Sequence, residues 1–134
     1  MGPRAENEAA TLSAPGVRVE RQEDVLVVAL AGEHDLASRE SVSEALDGAL
    51  EAGLAVVVDL READFIDSVV AAVLLETRKK AKQRDRGLGI VLSAARDNGV
   101  RRMFEVSQLE SVFAIYASPQ EAVEAVRGGF AAAP

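Results

Sequence analysis

The chain has 134 residues, one domain's worth, and 49% are apolar, enough for a packed interior and too many for a disordered chain. Aromatic residues are only 4%, so aliphatic packing must carry the core, and exposed rings for stacking single-stranded nucleic acid are scarce. A formal net charge of −7 opposes general affinity for nucleic acid or an anionic membrane, and the absence of cysteine removes disulfides, thiolate metal sites and cysteine nucleophiles.

Residues 1–16 are rich in Ala, Glu, Pro and Gly without periodicity, and read as a disordered lead-in. They lack the apolar stretch of a secretory signal, and no run in the chain approaches the ~18 apolar residues of a membrane span. A cytoplasmic protein is the expectation. Val17 to Arg21 alternates as a half-buried strand does. Glu23-Asp24 turns the chain into Val25–Ala31, a β-branched run that predicts the buried partner of a hairpin. Gly32-Glu33-His34-Asp35 reads as a loop. Ser38 to Glu51 puts Val42, Leu46, Ala49 and Leu50 on one helical face, with Gly53 as the stop.

Ala55–Leu60 predicts a second buried strand, and Ser68 opens a helix expected to reach Arg86 and end at Gly87. Gly89–Leu92 and Val112–Tyr116 read as further strands, separated by a helix capped by Asp97 that contains Val100, Met103 and Phe104. Ser118-Pro119-Gln120-Glu121 is a capping box with proline at the first helical position, introducing a helix to about Arg127. The order is ββαβαβαβα over residues 17–127, an α/β domain whose largely parallel mixed sheet is covered by about four helices. Residues 128–134 read as a loose tail from which Phe130 packs back.

The most informative segment runs from Val56 through Asp59 to Phe65-Ile66-Asp67-Ser68 and into Val69-Val70 and an apolar helix. A serine at a helix N-terminus lies beside exposed backbone N–H groups, which favour an added phosphate, whereas Asp67 would repel it. Phe65-Ile66-Asp67-Ser68 before an aliphatic helix resembles the phosphorylation segment of STAS-domain anti-sigma factor antagonists. Leu30-Ala31-Gly32-Glu33-His34-Asp35 is similar to that family's Gly-Glu-x-Asp segment, and Val100–Leu109 to its helix and following turn.

The resemblance implies a partner switch in transcription regulation and the stress response. The unphosphorylated antagonist binds an anti-sigma factor that is also a serine kinase, and so frees a sigma factor. The kinase phosphorylates the antagonist with its own ATP and Mg²⁺, the complex separates, and a serine phosphatase resets the cycle. Carried onto this chain, Ser68 is the phosphoacceptor, and Asp35, Asp67, Val69 and, more weakly, Glu33 form the docking surface. The chain itself would be no enzyme and would hold no cofactor or metal. The family pattern continues after its serine with Ser or Thr and then Gly, where this chain has Val69-Val70.

Other readings stay open beside this one. Ser68 also suits a plain helix N-cap, Asp35 and Asp67 suit turn formers, and His34 an ordinary loop histidine. A hydrolase triad of Ser68, His34 and Asp35 lacks the Gly-x-Ser-x-Gly elbow. A phosphoaspartate receiver using Asp59 lacks the adjacent acidic pair after Val25–Ala31 and the later lysine at a strand end. A STAS module without phosphorylation, acting as a scaffold or in lipid transport, fits Val69-Val70. The basic run Arg78–Arg86 reads as a solvated helix end that complements the dipole, or as a docking patch for an acidic partner.

Overall fold

A computed structural model describes residues 11–94 and 99–131. Strands β1 (Thr11–Ala14), β2 (Val17–Gln22) and β3 (Val25–His34) lead into α1 (Leu36–Glu51), β4 (Ala55–Ile66) and α2 (Ser68–Gln83). Then follow β5 (Leu88–Val91), α3 (Gly99–Val106), a 3-10 turn at Leu109–Ser111, β6 (Ile115–Tyr116) and α4 (Pro119–Val126). The strands pair in the order β1-β2-β3-β4-β5-β6; β1, β2 and β3 are antiparallel, and β3 to β6 are parallel. The ββαβαβαβα frame is thus present, with one strand added in front.

That added strand corrects the reading of residues 1–16: 11–14 pair with β2, while 1–10 lie outside the described residues. Two strands are also longer than expected. Val25–Ala31 continues through Gly32 and Glu33 to His34, so the expected loop is strand, and Ala55–Leu60 continues to Ile66. The extension pairs Gly32 with Ala63, Glu33 with Phe65 and His34 with Ile66. Two register slips, at residues 59–62 and again at 63–65, make this possible. Asp59 accepts from the Arg61 backbone N–H at 3.1 Å and from the Arg61 guanidinium Nη2 at 2.9 Å, so the displaced backbone keeps a partner.

Alternation along the strands separates two cores. Val28, Leu30, Val56, Val58, Leu60 and Ile90 pack under α1, α2 and α3, joined by Val42, Leu46, Val70, Leu74 and Phe104. Val25, Val27, Val57 and Val91 face the other way, under Ala122, Val123 and Val126 of α4. With so few rings the core is aliphatic, and each fully buried Val or Leu contributes about 1.5–3 kcal/mol. Among the described residues the ring pair is Phe104 with Phe113, centroids 6.2 Å apart.

Helix α2 stops at Gln83, short of Arg86. Asp85 takes φ +52, and a side chain at Gly87 would strike the Val126 backbone, so this glycine lets α4 close against the sheet. Residues 112–114, expected in the fifth strand, instead leave the 3-10 turn, and only Ile115–Tyr116 pair with β5. The expected Asp97 cap lies outside the described residues. Ser118 does cap α4: its Oγ accepts from the Glu121 N–H at 3.2 Å, and Pro119 stands at the first helical position. Phe130 packs back on the main core, its N–H donating to Asp85 at 3.2 Å and its ring 5.4 Å from the Arg78 guanidinium carbon.

Candidate functional site

Parallel β3 and β4 end side by side, and each runs through an aspartate into a helix. After β3, Asp35 caps α1 by accepting from the Ala37 N–H at 2.9 Å. After β4, Asp67 caps α2 by accepting from Val69 N–H at 2.7 Å and Val70 N–H at 3.4 Å. The Asp67 N–H donates to the His34 carbonyl at 3.0 Å and joins the two junctions. Glu33, Asp35, Asp67, Ser68 and Val69 therefore gather at one end of the sheet, although all of α1 and β4 lies between the first two and the last three in sequence.

Ser68 is not the N-cap; Asp67 is, and Ser68 is the first helical residue. With the cap supplied by its neighbour, the Ser68 hydroxyl is exposed and makes no hydrogen bond to any described residue. The two valines after it do not crowd it equally. Val70 is wholly buried in the core, and only half-buried Val69 faces the surface groove. Exposed Phe65 at the end of β4 and Leu36 at the start of α1 add apolar surface at this end of the domain, 44% and 67% exposed.

His34 is not a loop residue. It is 1% exposed, its Nε2 lies 3.0 Å from the Ala31 carbonyl and its Nδ1 3.0 Å from Ser38 Oγ. A carbonyl only accepts, so Nε2 carries a proton. With both ring nitrogens engaged by Ala31 and Ser38, the imidazole does not serve Ser68, and the triad reading falls. Asp59 points to the α4 side of the sheet and is held by Arg61, whose proton it secures through those hydrogen bonds, which removes the receiver reading.

Sequence reasoning missed the groove beside Ser68. A cavity of about 490 Å³ runs between α1 and α2, with Arg39, Ser43 and Asp47 on one wall and Ser68, Val69 and Val73 among those on the other. Positions 39, 43 and 47 repeat at helical spacing on α1, and only the packing of α1 beside α2 sets them against the stripe 69, 73, 76 and 80. Lys80 donates to Asp47 at 3.0 Å and bridges the far end. The basic run is accordingly more than a solvated face, since Lys80 ties α2 to α1 and Arg78 donates to the Val112 carbonyl at 3.0 Å.

Among the described residues, no group of three or more carboxylates or histidines is arranged to hold a metal, and no helix is long and apolar enough to cross a membrane. An exposed serine thus lies beside two acidic caps, with a groove leading away from it.

The STAS domain model matches residues 16–122. Anti-sigma-F factor antagonist RsfB of Mycobacterium tuberculosis is 30% identical over 122 residues, covering 88% of this chain and 97% of that protein. The chain belongs to the STAS-domain family of anti-sigma factor antagonists, which are regulators and not enzymes. Among solved structures, an anti-sigma factor antagonist from Mycobacterium paratuberculosis superposes with a TM-score of 0.72 at 29% identity, covering 87% of this chain and 99% of that one. The anti-sigma factor antagonist SpoIIAA in its unphosphorylated form superposes at 0.65 with 18% identity, covering 84% and 98%, and at that distance attests the fold alone.

Proposed function

We propose that this chain is the antagonist in a phosphorylation-controlled partner switch of the cytoplasm. Unphosphorylated, it binds an anti-sigma factor with serine kinase activity through Glu33, Asp35, Asp67 and Val69, and a sigma factor is released. The kinase then moves the γ-phosphoryl group of ATP to Ser68 Oγ; the hydroxyl proton leaves, ADP departs and the complex separates. A serine phosphatase hydrolyses the phosphoserine and restores binding. Neither nucleic acid nor membrane is a direct partner, in keeping with the net charge of −7.

The observation that carries this reading is the division of labour at the α2 N-terminus. Asp67 satisfies the cap, so the Ser68 hydroxyl is left exposed and uncommitted where the two acidic junctions meet. The helix dipole would favour the new phosphate, while Asp67 makes the added charge costly to a partner that docked on the neutral serine. The burial of Val70 supports the same reading, because the bulk of Val69-Val70 is directed largely into the fold.

The test is binding of the chain to a candidate anti-sigma factor by calorimetry. Ser68→Ala is expected to bind like the wild type, and Ser68→Asp at least about tenfold more weakly, a difference of about 1.4 kcal/mol. Equal affinity of Ser68→Asp and wild type for a confirmed partner would count against the switch.

A further inference from the structure

The groove between α1 and α2 is bridged by an ion pair at one end and by none at the other among the described residues. At the far end Lys80 and Asp47 form an ion pair across it at 3.0 Å. At the near end Arg39 of α1 and Ser68 of α2 line the same cavity, a cation and a neutral hydroxyl. Arg39 is exposed and makes no ion pair or side-chain hydrogen bond with any described residue. Other arginines are committed, Arg21 to the Glu23 carbonyl, Arg61 to Asp59, Arg78 to the Val112 carbonyl, Arg101 to the Ser93 carbonyl and Arg127 to Asp24. The side chain of Asp67, the acid next to Ser68 in sequence, is occupied by the Val69 and Val70 N–H groups.

We propose that Arg39 is the intrachain partner of a phosphate on Ser68, so that phosphorylation bridges the near end of the α1/α2 groove with a second cross-helix ion pair. The inference rests on Ser68 being the acceptor and names how its modification is read. A phosphate brings nearly two negative charges and three acceptor oxygens, and a guanidinium offers paired donors in the fork geometry that suits them. In the neutral chain Arg39 makes no ion pair across the groove with any described residue, and a partner's side chains enter between the helices. In the phosphorylated chain the groove is bridged at both ends, by Lys80–Asp47 and by Arg39 with the phosphate. The off-state is then a changed shape as well as a changed charge, which lets a partner be excluded even where its own surface is not acidic. Glu76 lines the same groove and opposes the phosphate, which leaves Arg39 as the cation of the near end among the described residues.

The experiment uses the full chain with phosphoserine installed at position 68 during translation, so that no kinase is needed. Phosphorus NMR follows the second ionisation of the phosphate in low salt. With Arg39 present it is expected about half a pH unit lower than in Arg39→Gln, a gap that narrows in high salt. Arg39→Lys should recover part of the shift, because it keeps the charge and loses the fork. The Arg39 Nε–H resonance should move on phosphorylation while that of Arg127 stays in place. Identical titration of the phosphorylated wild-type and Arg39→Gln chains, with an unmoved Arg39 resonance, would overturn the proposal. Failure of every kinase to modify the natural chain would instead overturn the acceptor reading, and the two results are read from separate samples.

Discussion

The junction after β3 and the junction after β4 are built alike and end differently. Each is a parallel strand, an aspartate N-cap and a 16-residue helix, with a serine close to the cap. In the first, Ser38 is spent: its Oγ lies 3.0 Å from His34 Nδ1 and 3.2 Å from the Asp35 carbonyl, locking the buried imidazole to the turn. In the second, Ser68 opens the helix and has no such partner among the described residues. An aspartate holds the cap in both junctions, so what differs is the buried imidazole that engages Ser38 and has no counterpart at Ser68 among the described residues.

The comparison can be broken by substitution. The largest effect should come from His34→Ala, which empties a buried site and removes the ring that links Ser38 Oγ to the Ala31 carbonyl. A loss of about 2–4 kcal/mol in urea unfolding is expected. Asp67→Ala removes the acceptor of two backbone N–H groups and should cost about 1–2 kcal/mol, measured the same way. Ser38→Ala should cost about 1 kcal/mol, because His34 Nδ1 loses its partner in the interior. Ser68→Ala should change stability by less than about 0.5 kcal/mol, as an exposed, unbonded hydroxyl should. A Ser68→Ala loss as large as that of Ser38→Ala would erase the distinction between the junctions.

Much of this is legible in the sequence. Periodicity yields the strand and helix order because buried β-branched runs such as Val25–Val28 and Val56–Val58 leave little choice of partner. Capping chemistry locates α4, since Ser118 to Glu121 states its own start. The misses have physical causes. Arg61-Glu62-Ala63-Asp64 looks too polar for a strand, yet β3 pairs with it once Asp59 stabilises the first register slip. His34 looks like a loop residue because its burial depends on Ser38 and on a carbonyl three residues back. The sequence puts Ser68 in the right element but offers it a share in the cap that belongs to Asp67, a distinction that rests on which side chain turns inward. The α1/α2 groove, and Arg39 with it, depends on how two helices separated by a strand pack together, which no local pattern states.

The most direct test of the account is intact mass with site mapping after incubation with ATP, Mg²⁺ and an active anti-sigma factor kinase. Wild type and Ser38→Ala should each gain one phosphate, and Ser68→Ala none. Phosphate appearing on Ser38, or retained in Ser68→Ala, would contradict the claim that the uncommitted serine of the second junction is the switch.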